Sequence, residues 1–161
     1  MRDAVVLLGF RAVRSATLAS CVIDTLPGGT VLDAMTAWRF SVTTGLLAEV
    51  LSRATQTHQD EAFTAGVLHN IGRLALDQQR PRELLASRNL ARQQGLTLVE
   101  AQRLVLGFTD ADLGGALALH WNFPDALANA VAHHHLDMDA LPDPKSVTAF
   151  VIRARLFARS H

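Results

Sequence analysis

A hydroxyl residue followed three positions later by an acid, ahead of an apolar run, recurs along this chain: Thr30 with Asp33, Thr97 with Glu100, Thr109 with Asp112. The hydroxyl satisfies an orphaned amide of a helix's first turn and the acid can reach back to the hydroxyl residue's own amide, so each pair marks a helix start. Thr57, ahead of Asp60 and Glu61, repeats the signal more loosely. Between these starts the apolar residues fall at steps of three and four. Val5, Val6, Phe10, Val13, Leu18, Cys21 and Val22 precede the break "LPGGT", and Val31, Met35, Trp38, Val42 and Leu46 follow it. The second set predicts a long buried helix begun by Thr30. Gly95 suits a helix C-terminus, and Asp143-Pro144 predicts the opening of the last helix. Strand patterning is nearly absent. The expected fold is all-α, with about eight helices and short loops forming a single domain over 1–161.

The 161 residues are enough to bury a core without disulfides or a structural metal. Fifteen basic side chains are balanced by fifteen acidic ones, which removes the net field that gathers nucleic acid or anionic lipid. Arg153, Arg155 and Arg159 gather near the C-terminus, where cations suit a helix dipole. Cys21, without a partner, reads as a small core residue in a reducing compartment. No apolar run approaches the roughly 20 residues that span a bilayer, and no signal-peptide pattern opens the chain. Cytoplasmic localisation without membrane contact is expected, and the scattered aromatics offer no platform for stacking bases.

The stretch "GVLHNIGR", Gly66 to Arg73, places His69 in what reads as one helix from about Glu61 to Leu76. Helical spacing puts it on a face with Ala65, Gly66, Gly72 and Arg73, and a lone histidine there is more often a core residue than a ligand. His133 to His135 are consecutive, so on a helix they point about 100° apart and cannot all converge on one ion. The simple reading of the triplet is a helix C-terminus, with His133 and His134 kept as pocket candidates alongside His120. Asp110 and Asp112 read as capping acids. No phosphate loop, paired CxxC or HExxH is present.

Three blocks resemble the HDOD family, the HD-related output domain of bacterial signalling proteins. "AVVLLGFRAVRSATLA" is similar to its leucine-glycine segment, and "AFTAGVLHNIGRLAL" to its central helix, usually built around L-L-H-D-I-G-K. "LGFTDADLGGALALHWNFPDALANAVAHHH" is similar to its most specific block, with Gly107, Phe108, Asp112, Gly114, Trp121, Pro124 and the closing histidines in place. The resemblance implies the helical fold of HD phosphohydrolases, used mainly as a regulatory module. It also implies partners among response regulators or cyclic-dinucleotide enzymes.

An HD phosphohydrolase gathers an upstream histidine, a His-Asp pair and a distant aspartate around a divalent ion. Carried over, these positions fall on Phe40, His69, Asn70 and Arg155, and only His69 matches. Phenylalanine is no ligand, asparagine supplies only a neutral carbonyl and arginine adds repulsion, so the site reads as degenerate, with no catalytic residue, metal or cofactor expected. His69, Asn70, Arg73 and Arg155 could instead line a pocket for an anion such as a phosphate or nucleotide. The leading expectation is a non-catalytic signalling module acting through protein contacts. Its rival is a divergent phosphohydrolase with a metal held by His69, His120 and either His133 or His134. Family members usually carry a further N-terminal helical segment. This chain opens almost at the leucine-glycine stretch, so an apolar face exposed there would favour self-association or a partner.

Overall fold

The computed structural model describes residues 31–57, 59–141 and 143–159. Eight α-helices follow one another: α1 (Ala34–Thr55), α2 (Gln59–Leu68), α3 (Ile71–Gln79), α4 (Pro81–Gln94), α5 (Leu98–Leu106), α6 (Asp110–His120), α7 (Asp125–His133) and α8 (Val147–Arg159). A 3₁₀ turn, Met138–Ala140, lies between α7 and α8. The described residues contain no strand, as the sequence pattern implies. No helix among them is long and apolar enough to cross a membrane. The expectations about "LPGGT", Cys21 and the first helix lie outside the described residues.

Two of the helix-start signals act where the sequence places them. Thr97 and Thr109 each accept from the third amide of their helix, and Glu100 and Asp112 return the bond, forming two full capping boxes. Gly95 closes α4 with φ 67°, a left-handed conformation that glycine adopts without cost. Two other starts differ from expectation. Asp33 is itself the N-cap of α1, its carboxylate accepting the Met35 amide. The last helix begins at Val147 rather than Pro144, because Ser146 caps it by accepting the Ala149 amide at 3.2 Å.

The helix expected over 61–76 is two helices. It breaks at His69 and Asn70, where the Asn70 carbonyl takes both the Arg73 and the Leu74 amides. The break lets α3 turn away and cross α6 at Gly72 and Gly114. A Cβ on Gly72 would lie 1.9 Å from the Asp110 carbonyl oxygen, so backbone meets backbone there.

The buried face of α1 also differs. Met35 and Leu46 are exposed, and Ser41, Thr44, Ala48 and Ser52 are buried instead. The α1–α2 crossing selects for size: a Cβ on Gly66 would come within 2.6 Å of the Gly45 Cα. The buried hydroxyls of Thr44 and Ser52 bond to carbonyls of their own helix, Phe40 and Glu49, so they cost little there. Around this seam Ala48, Ala62, Ala65, Ala130 and Ala154 pack with Leu127, Val147, Phe150 and Val151 into the main apolar core.

Candidate functional site

Beyond that core, the α2–α3 turn, the start of α6 and the ends of α7 and α8 meet in a buried polar centre. His69 and His134 are each 1% exposed, Asp110 2% and Arg155 7%. The two buried histidines are oriented in the same way. His69 Nδ1 donates to the Gly66 carbonyl at 2.6 Å and His134 Nδ1 donates to the Val131 carbonyl at 2.7 Å. A ring that donates from Nδ1 keeps a bare lone pair on Nε2, and both Nε2 atoms are buried without a partner. Their rings meet edge-on at 5.1 Å, with Phe40 5.6 Å from His69 on the other side.

Burial drives the pKa of His69 down to about 3 and lowers that of His134 well below its ordinary value. Both rings are therefore neutral near pH 7.

A second chain of contacts runs beside them. Arginine can only donate, so the 3.0 Å contact from Arg155 Nη1 fixes His135 Nδ1 as an acceptor. His135 must then carry its proton on Nε2, which donates to Asp110 Oδ1 at 2.8 Å. Burial, the largest single influence, opposes a charge on Asp110, but the hydrogen bond from His135 together with the nearby charges of His135, His134 and Arg73 outweighs it and holds the carboxyl below the usual carboxylate range. Gln102 on α5 fixes the same residue from behind, accepting its amide at 3.0 Å. Arg155 thus supplies a built-in cation, linked through His135 to Asp110. Burial, with the nearby charges of Arg159 and Arg73, lowers the Arg155 pKa to about 10, still charged at neutral pH.

Asp110, His134 and His135 offer ligand atoms within 4.8 Å of one another, a spacing that could hold a metal ion. The donor set fits only in part. His134 Nε2 and Asp110 Oδ2 are bare, but both nitrogens of His135 are engaged. His135 becomes a ligand only if Arg155 or Asp110 releases it.

Of the residues singled out in the sequence, Phe40, His69, Asn70, Arg73 and Arg155 surround this centre, and His134 joins it. Phe40, Asn70, Arg73, His135 and Arg155 line a cavity of about 330 Å³. His133 bonds to the Asn129 carbonyl and is exposed, and His120 is exposed at the end of α6. Neither lies in the centre. One member departs from its sequence reading: Asp110 reads as a solvated capping acid and is in fact buried against His135. The histidine triplet lies at a helix end as expected, α7 closing at His133 with His134 as its C-cap, so His134 and His135 are not presented as helix neighbours. The "TDAD" spacing shows a cap but not which acid turns inward.

The HDOD domain profile matches residues 1–136. The chain belongs to the HDOD domain family. Among solved structures, a protein from Shewanella amazonensis, provisionally named a phosphohydrolase, is 26% identical with a TM-score of 0.88 over 99% of this chain and 59% of its own. An HDOD protein of unknown function from Geobacter sulfurreducens is 25% identical with a TM-score of 0.85, covering 97% of this chain and 53% of its own. The MmoQ response regulator from Methylococcus capsulatus, 24% identical with a TM-score of 0.70 over 98% of this chain and 63% of its own, shares the fold. This chain therefore spans between half and two thirds of the length of these proteins.

Proposed function

We propose that this chain is a non-catalytic HDOD signalling module that acts through protein contacts. The observation that carries this reading is Arg155. Its guanidinium stands where the resemblance would place a metal-binding aspartate, and its bond to His135 occupies the ring that a metal would need. A guanidinium already neutralises Asp110 through that ring, and a divalent ion alongside it would be repelled. Phe40 and Asn70 remove two further ligands of an HD centre. The occurrence of this fold in a response regulator supports a role in signalling, with response regulators or cyclic-dinucleotide enzymes as the partner class.

One observation favours a second reading, a divergent phosphohydrolase. His134 Nε2 and Asp110 Oδ2 are bare, buried acceptors within ligand spacing of each other and of His135, and two imidazoles with a carboxylate suit Fe²⁺ or Zn²⁺ once His135 is released. The two readings separate on metal content after loading with Mn²⁺, Fe²⁺ or Zn²⁺ and desalting. Substoichiometric metal in the native chain, rising in Arg155→Asp, is the expected result. A stoichiometric ion in the native chain, together with phosphodiester hydrolysis lost in His134→Ala, would replace the first reading with the second.

A further inference from the structure

The cavity on the outer side of Arg155 has an unusual charge balance. Arg73, Arg155 and Arg159 line it, and Asp137 is the one carboxylate in its wall. Among the described residues no carboxylate oxygen lies within salt-bridge distance of Arg73 or Arg155, and each has a buried Nε without an acceptor. Arg73 makes no side-chain hydrogen bond among the described residues, and burial lowers its pKa. Asp110 is the nearest balancing charge for both groups, yet no carboxylate contacts either directly, and guanidinium groups that act on each other and have lost much of their hydration carry a cost that an anion between them would relieve.

The start of α5 lines the same cavity through Thr97, Leu98 and Val99. The capping box uses the Thr97 and Glu100 amides, so those of Leu98 and Val99 have no helical acceptor. Free first-turn amides and guanidinium groups lining one cavity suit an anion. A neighbouring cavity of about 550 Å³ shares Phe40, Asn70, Arg73 and Arg159 with it and is walled partly by Ala37, Phe40 and Leu74. One subsite is cationic and the adjoining one partly apolar.

We propose that this pair of cavities binds a phosphomonoester. Its phosphate lies between Arg73, Arg155 and the first turn of α5, with Arg159 at the side, and its organic part extends past Asn70 along Phe40 and Leu74. A phosphate dianion matches the forked donors, whereas a neutral ligand would leave the guanidinium groups unpaired. The site would give a non-catalytic module a small-molecule input.

The test is calorimetric titration of the full chain with inorganic phosphate, adenosine 5′-monophosphate and adenosine, up to about 10 mM, where a millimolar site is mostly filled. Saturable binding of phosphate, tighter binding of the monophosphate and none of adenosine are expected. Arg73→Gln should weaken monophosphate binding at least about tenfold, the loss of a charge-assisted forked contact. Should that variant fail to fold, the exposed positions decide: Arg159→Gln should weaken binding a few-fold and Asp137→Asn should tighten it by about as much. No saturable binding of phosphate or monophosphate, or binding indifferent to both exposed substitutions, would overturn the site and leave the non-catalytic reading standing. Conversion of the monophosphate to adenosine and phosphate by metal-loaded protein would overturn the non-catalytic reading while retaining the site.

Discussion

The two halves of the interior are built on opposite terms. The half between α1, α2, α7 and α8 is filled by alanines with Phe150, Val151 and Leu127, and its stability comes from apolar burial and close helix approach. The half where α3, α5 and α6 meet the ends of α7 and α8 buries His69, His134, Asp110, Gln102 and Arg155. Three bare acceptors and three unpartnered donor nitrogens remain there, on His69, His134 and Asp110 and on Arg73, Gln102 and Arg155. Each buried polar group without a partner costs about 1–3 kcal/mol, so this half lowers stability that the other supplies. Such a centre in an otherwise well-packed fold departs from what stability alone would select.

The largest expected effect removes the polar half altogether. Gly72→Ala places a methyl 1.9 Å from the Asp110 carbonyl oxygen, where backbone cannot yield, and should abolish the folded state. Circular dichroism melting checks it, and a cooperative transition near the native midpoint would show that the crossing tolerates a side chain. Next, Phe150→Ala in the apolar half should cost about 3–5 kcal/mol by denaturant unfolding, by a similar amount at pH 7 and pH 5. A strong pH dependence of that loss would mean that the two halves are not separable.

Acid should act on the polar half alone. The folded pKa of His69, about 3, lies below its unfolded value of 6.5, so the unfolded chain takes up the proton first. The neutral ring's contribution to stability is complete above about 6.5 and is lost as pH falls towards 3. Between pH 7 and pH 4 that single group removes about 3 kcal/mol, and His134 acts in the same direction. His69→Met should flatten the slope. An unchanged slope would place the acid sensitivity elsewhere.

Local chemistry was legible wherever a residue answers to its own neighbours. The threonine caps, the left-handed Gly95 and the all-helical class follow from interactions within one turn, which the sequence carries intact. The buried side of α1 was not legible in this way, because periodicity marks two apolar stripes alike and only the Gly45–Gly66 crossing decides which faces inward. Nor was the break at Asn70. An uninterrupted helical pattern runs through "VLHNIGRLAL", and it is the contact of Gly72 with α6 that accompanies the change of direction there.

The candidate site divides along the same line. The sequence by itself determined that this chain is a bundle of short helices, and the family resemblance it carries implies His69 as the one matching residue of an HD motif, with Phe40, Asn70 and Arg155 at the other positions. Only the tertiary structure decided that Asp110 turns inward, that His135 links it to Arg155, and that Arg73 and Arg155 share a cavity with the start of α5. The physical reason is range. Caps and turns are settled over three or four residues, whereas the partner of a buried charge lies 20 or 25 positions away in sequence, and nothing in the local pattern records which of several acids or cations the fold will bury beside it.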